Sequence, residues 1–215
     1  MTIVVAVDGP AASGKTTLAK RLAAANGLRF LDTGLLYRAV ARRLLAQGQE
    51  PMDAAAAAAA ARSVTADDLD PAALKAERIG EGASVVAVHG DVRQALLAFQ
   101  RDFAHAPPGA VLAGRDIGSV VFPDATLKLF VTASAEVRAK RRFEELRREG
   151  DTVMYERVLQ DVVERDRRDR ERAVAPLTAA PDAICIDTSA LDIDASLAAL
   201  QEAFDEHAAR KPRKT

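Results

Sequence analysis

The run Gly9-Pro10-Ala11-Ala12-Ser13-Gly14-Lys15-Thr16 fits the spacing G-x-x-x-x-G-K-[ST] with no position missing. Its flanks restrict the fold further. Ile3-Val4-Val5-Ala6-Val7 reads as a strand, and residues 16–25 carry apolar and basic side chains at helical spacing. A strand that runs into a glycine-rich turn and out into a helix is a phosphate cradle. Gly9 and Gly14 let backbone N–H groups converge on a phosphate, and the helix N-terminus adds a favourable dipole. Lys15 is placed to neutralise β- and γ-oxygens, and the Thr16 hydroxyl to ligate Mg²⁺. Gly9, Pro10, Ala11, Ala12, Ser13, Gly14, Lys15, Thr16 and Thr17 are therefore expected to bind a nucleoside triphosphate. The pattern names the donor and its metal but not the acceptor, because GTPases, motors and kinases share it.

The remaining chain supplies a sheet for this loop to sit on. Near-continuous apolar runs at 2–8, 110–113, 127–132 and 183–187 read as strands covered on both faces of a parallel sheet. Helical patterns fall at 15–26, 33–47, about 71–104, 135–149, 155–173 and 193–210. The alternation predicts a single α/β domain with a doubly wound, mostly parallel sheet, and 215 residues suit that size. With aromatic residues at 4% and no Trp, the core must be aliphatic. The alanine run at 54–61 follows Asp53, a good N-cap, and reads as a short scaffold helix or spacer. Cys185 lies in the apolar run Ala183-Ile184-Cys185-Ile186 and is expected to be a buried, reduced thiol.

Several classes are disfavoured. A net charge of −1 gives no global hold on nucleic acid, so an anionic ligand must be gripped by local clusters. His89, His105 and His207 have no ligand spacing among them, which argues against zinc. No apolar stretch reaches the roughly 18 residues that span a bilayer. Met1 leads directly into strand pattern without a basic region, so no signal peptide is expected, and a lone cysteine fits a cytoplasmic setting. The basic end at 210–215 reads as a frayed terminus.

No N-K-x-D guanine-reading motif is present, and a motor would need a longer chain. Small-molecule kinases remain, and these need arginines for an anionic acceptor and a lid that excludes water. Thr33 is a candidate N-cap for a helix carrying Tyr37 and Arg38 one turn in, where Arg38 can reach an acceptor phosphate. Arg115-Asp116 follows the strand at 110–113, at the carboxyl edge where ligands of open α/β sheets gather. Tyr155, Val158, Val162, Arg165, Asp169 and Arg172 recur at three- and four-residue steps on one helical face. That stripe begins apolar and becomes charged, so Arg165, Asp169 and Arg172 face inward while Arg167, Arg168 and Arg170 point elsewhere. Inward charges need a partner, and an anionic ligand is a natural one.

Taken with these motifs, the chain resembles the bacterial cytidylate kinases over nearly its whole length. The resemblance rests on the loop from Gly9 to Thr17, on Leu31-Asp32-Thr33-Gly34 with Tyr37-Arg38, and on Gly114-Arg115-Asp116-Ile117-Gly118 leading to Val121-Phe122-Pro123-Asp124-Ala125. It continues in Glu164-Arg165-Asp166 with Arg168-Asp169, and in Arg172-Ala173-Val174-Ala175-Pro176-Leu177. By that resemblance Thr33 lies near the acceptor nucleotide, and Arg38, Arg115 and Arg172 face its phosphate. Arg165 and Asp169 hold the ribose hydroxyls, and Ser84, Arg93 and Asp116 surround the cytosine. A carboxylate accepts the exocyclic amine of cytosine, which uracil lacks. The stretch 49–82 is shorter and richer in alanine than the acceptor subdomain of longer relatives.

The implied reaction is transfer of the ATP γ-phosphoryl to CMP or dCMP, assisted by Mg²⁺, with Lys15, Arg115, Arg165 and Arg172 as catalytic residues and Thr16 on the metal. A segment at about 49–105 is expected to bind the acceptor and one at about 141–157 to form a lid. The enzyme is expected to act as a monomer with nucleotide partners and no nucleic acid or membrane. The alternatives are another small-molecule kinase acting on UMP, AMP or a metabolite, or a regulator that hydrolyses nucleotide slowly without an acceptor.

Overall fold

The computed structural model describes residues 2–210. Five strands, β1 (Ile3–Asp8), β2 (Arg29–Asp32), β3 (Gly109–Gly114), β4 (Leu127–Thr132) and β5 (Ile184–Asp187), form one sheet in the order β2-β3-β1-β4-β5. Every adjacent pair is parallel. The helices are α1 (Lys15–Ala25), α2 (Gly34–Ala46), α3 (Ala54–Arg62), α4 (Glu77–Val86), α5 (Gly90–His105), α6 (Ala135–Arg148), α7 (Tyr155–Glu171) and α8 (Ile193–Arg210).

Alternation along β1 divides the core. Val5 and Val7 join Leu18, Leu22, Leu129, Val131 and Leu200 beneath α1 and α8. Val4 and Ala6 point the other way, toward Ala104, Leu112, Ile117 and Phe122 beneath α5. A third cluster, with Leu36, Val40, Leu44, Ala57, Ala61, Val92 and Leu96, binds α2, α3 and α5 into a helical arm. The doubly wound expectation therefore holds, and the central strand β1 delivers its chain into the Gly9 turn at the carboxyl edge.

Three local expectations are corrected. Residues 29–32, left outside the expected strands, form a full edge strand, β2, whose Arg29 and Asp32 ends masked its apolar character. The long helix expected at 71–104 is instead a turn, α4 and α5. The chain breaks at His89, which is extended at φ −78°, ψ 118°, because α4 packs on α2 while α5 packs on α3 and the sheet. Cys185 is exposed rather than buried. β5 is an edge strand of which only Ile186 is buried, so its apolar run is covered on one face only.

The alanine run does become a helix, α3. The Asp53 carboxylate accepts from the amides of Ala55 and Ala56, both at 3.0 Å, and so caps it. Ala57, Ala58 and Ala61 are buried. Methyl side chains let α3 lie close on α2 and α5, which makes it part of the arm rather than a spacer. The expectation for 211–215 lies outside the described residues.

Candidate active site

The Gly9–Thr16 loop has the geometry a phosphate cradle needs. Gly9 adopts φ +151°, and a Cβ there would meet the Val131 carbonyl oxygen at 2.0 Å, so only glycine fits. Gly14 is left-handed at φ +84° and opens α1. Lys15 is buried, and its Nζ donates to the Pro10 carbonyl at 3.0 Å, curling over the loop. Burial pushes the Lys15 ammonium well below its usual range, and the neighbouring Arg115 guanidinium lowers it further. The Thr16 hydroxyl lies 3.4 Å from the Asp32 carboxylate at the end of β2. A hydroxyl beside a carboxylate is an oxygen donor set suited to a hard divalent cation completed by phosphate oxygens.

Across the mouth of the loop, the sheet edge and α7 bring together residues far apart in sequence. Arg115 leaves β3 and donates from Nε to Asp169 on α7 at 2.8 Å. Asp116 is buried and paired on both sides, with Arg93 of α5 at one oxygen and Arg172 at the other, the latter at 3.5 Å. Arg172 follows the last residue of α7, and its side chain is 4% exposed. Arg165 lies one turn before Asp169, with its Nε buried and unpartnered. Burial, and then the Arg115 charge, push Arg165 down to about 10. Burial lowers Arg172 as well, helped by Arg93. Burial would raise Asp169, but Arg115 and Arg165 outweigh it and hold its carboxyl below the usual range. Cations so crowded and desolvated are stabilised by an anion, and the free guanidinium edge of Arg165 is a donor without an acceptor.

Thr33, Arg38 and Ser84 occupy the rim. Thr33 precedes α2 but does not cap it with its side chain. Its Oγ1 donates to the Ala113 carbonyl at 2.9 Å, and Asp32 instead accepts from the Gly34 amide. Arg38 donates to the Leu74 carbonyl at 2.8 Å, beside Gly80, where a Cβ would lie 2.9 Å from the guanidinium. Ser84 on α4 accepts from Arg168 at 3.1 Å. Arg168 is thus directed toward α4 and not away from it, a correction to the face assigned from spacing. Of the three residues expected around the cytosine, Arg93 and Asp116 meet in a buried pair, whereas Ser84 bonds to α7 instead of to either. Tyr37 lies 5.6 Å from the Arg93 guanidinium, ring under cation, and burial pushes its phenol up to about 12.

The family model for cytidylate kinase matches residues 5–206. The chain belongs to the cytidylate kinase family. A cytidylate kinase of Xanthobacter autotrophicus is 59% identical over 92% of this chain and 94% of its own. One from Azorhizobium caulinodans is 57% identical over 92% and 95%, respectively. The protein of Rhodopseudomonas palustris bearing the same name is 54% identical over 92% and 93%. Among solved structures, an uncharacterised protein from Eubacterium ventriosum superposes with a TM-score of 0.57 at 16% identity, covering 95% of this chain and 99% of its own. A sugar kinase from a Janibacter species gives 0.51 at 16% identity, covering 95% of each chain. These two likenesses speak to the fold alone.

The candidate site includes residues that spacing did not reveal. Asp8, the last residue of β1, accepts from the amides of Ile117 and Gly118 at 2.8 and 2.7 Å. Arg138 on α6 is buried in a two-pronged pair with Asp166 of α7 and also donates to the Ala11 carbonyl of the phosphate loop at 3.2 Å. Arg141, one turn on, donates to the Ser13 carbonyl at 3.3 Å. Two arginines thus grip the loop from outside. Asp166 carried a signal, since it lies four residues after Val162 and shares its face. Asp8 carried one too, as a carboxylate closing an otherwise buried strand.

Proposed function

We propose that the Lys15 loop and the arginines Arg38, Arg115, Arg165 and Arg172 bind donor and acceptor phosphates on opposite sides of one cleft. The enzyme is an ATP-dependent cytidylate kinase, converting CMP or dCMP to the diphosphate with release of ADP. The observation that carries the residue assignment is Asp116. It is held between two arginines yet retains acceptor capacity, because a carboxylate offers about four lone-pair sites. That leaves it able to take the exocyclic amine of cytosine while Arg93 and Arg172 fix its orientation. UMP offers a carbonyl there and meets a carboxylate without a proton, a repulsive pairing that favours CMP.

The attacking α-phosphate oxygen of CMP is already anionic, so no strong base is needed and the protein's work is alignment and charge neutralisation. Lys15 and the loop amides hold the β- and γ-phosphates. Arg115, steered by Asp169, and Arg165, with its unpartnered Nε, are set for the oxygens that gain charge as the phosphoryl group passes. Arg38 and Arg172 hold the acceptor phosphate, Thr33 lines its entrance, and Arg165 with Asp169 meets the ribose. Thr16 and Asp32 would hold the divalent ion, taken to be Mg²⁺, which would supply positive charge to neutralise the phosphates. The segment 141–157, comprising most of α6 and the link to α7, closes the cleft against water. The enzyme works as a cytoplasmic monomer.

Chromatographic analysis of ATP incubated with and without CMP tests this reading. CDP and ADP should form in equal amounts, with ADP release rising steeply on adding CMP. ADP release at one rate regardless of acceptor would instead identify a nucleotide-hydrolysing regulator.

A further inference from the structure

Asp8 is a buried carboxylate that the phosphoryl-transfer scheme leaves without a task, and its surroundings give it one. It ends the central strand, in register with Gly114 of β3 and Phe130 of β4, and Gly9 follows it directly. Its side chain is directed to the chain that follows Arg115-Asp116. Oδ1 accepts from the Ile117 amide and Oδ2 from the Gly118 amide. Residues Ile117–Val121 form one wide turn, in which the Val121 amide donates to the Asp116 carbonyl at 3.2 Å. The first amides of such a turn have no partner within it, so a two-oxygen acceptor beneath them satisfies both. The fit is close. A Cβ on Gly118 would lie 3.1 Å from Lys128 and 3.4 Å from Ala6, and one on Gly114 would lie 2.7 Å from Ile117.

We propose that Asp8 is a positioning residue for the acceptor nucleotide, its carboxylate clamping the Ile117–Gly118 amides and so fixing Arg115 and Asp116 relative to the phosphate loop. The inference rests on the reading that Arg115 and Asp116 serve the acceptor. The clamp requires two acceptor oxygens. A protonated acid, or an asparagine, offers one acceptor and one donor, and the donor faces an N–H. Burial raises the Asp8 carboxyl to about 6; the Gly118 and Ile117 amides oppose that rise, and the Asp116 charge adds to it. The charged groups around it are Lys15 from α1 and Asp116 from the turn, while Lys128 on β4, beneath Gly118, is engaged with Asp182 and the Pro123 carbonyl. The clamp should therefore loosen on mild acidification, weakening the acceptor side first.

Asp8→Asn keeps the shape and removes the second acceptor. Steady-state kinetics should show KM for CMP raised on the order of tenfold or more with KM for ATP little changed, as expected for a lost charge-assisted hydrogen bond and an unpaired donor. The ratio of wild-type to variant kcat/KM for CMP should fall toward one as pH drops through about 6. Titration of the substrate phosphate is common to both proteins and cancels in that ratio. Equal changes in both KM values, or a ratio independent of pH, would reduce Asp8 to a structural residue and overturn the proposal. Should the variant not fold, the wild-type amide resonances of Ile117 and Gly118 must titrate together with a midpoint near 6, and pH-independent shifts there overturn it equally. Asp116→Asn is the control for the underlying reading. If that variant leaves KM for CMP unaltered, the acceptor assignment fails, whatever Asp8 does.

Discussion

Lys15, Arg115 and Arg165 hold one another's charges in an unfavourable arrangement until a polyanion arrives. Burial, then Arg115, lowers Lys15, so its charged form costs stability in the nucleotide-free protein, and that cost is relieved as pH rises through its folded pKa. ATP phosphates reverse the balance by favouring the ammonium. Calorimetry in buffers of differing ionisation enthalpy, repeated as pH rises toward the ordinary lysine range, should therefore report growing proton uptake on ATP binding. Proton release there would contradict the account. Arg172 provides a second residue-scale test. Arg172→Met should lower kcat by about 100-fold, the scale of losing one aligned donor to a charged transition state, while the melting temperature changes little. Near-normal turnover would remove Arg172 from the site. The inward stripe of Arg165, Asp169 and Arg172 was legible because a helix repeats its face every three to four residues. The partners of Asp8 and Arg138 were not legible, because they lie 109 or more and 28 positions away and only the fold joins them.

Elements were readable where their pattern depends on local periodicity and less so where neighbours decide. The strands β1, β3 and β4 lie inside the sheet and showed it as near-continuous apolar runs, interrupted in β4 by Lys128. β5 carries a similar run, yet its edge position leaves Cys185 open, and which strand lies at an edge is a topological fact that no local run encodes. Native protein should consequently react with a thiol reagent at one site without denaturant, and failure to react would restore the buried reading. Between α6 and α7, Arg138 and Asp166 form a buried pair that also reaches the Ala11 carbonyl. Arg138→Met would leave Asp166 buried and unpaired, costing about 3–5 kcal/mol in chemical denaturation. Adding Asp166→Leu should recover much of that loss. A double variant no better than the single would show that the arginine's stability contribution lies in its loop carbonyl contact and not in the ion pair.

At the scale of the molecule, the helical arm and the end of α6 approach each other through Lys75 and Glu149, an ion pair of 2.7 Å between the stretch before α4 and the residue after α6. Both groups are partly in water, so the contact is worth little by itself and breaks readily. The doubly wound sheet and the site's position at its carboxyl edge were legible from strand–helix alternation and the loop at Gly9. The helical arm was not, because its alanine-rich helix and the break at His89 depend on how α2, α3, α4 and α5 pack together. Under the proposed function, Asp116, oriented by Arg93 and Arg172, makes this cleft select a cytosine nucleotide. The most direct test compares kcat/KM for CMP, dCMP, UMP, AMP and shikimate under saturating ATP in an ADP-coupled assay. CMP or dCMP should lead and UMP should trail by about tenfold or more, the cost of a buried polar pairing lost. Faster turnover of UMP, AMP or shikimate than of both cytidine nucleotides would contradict the account.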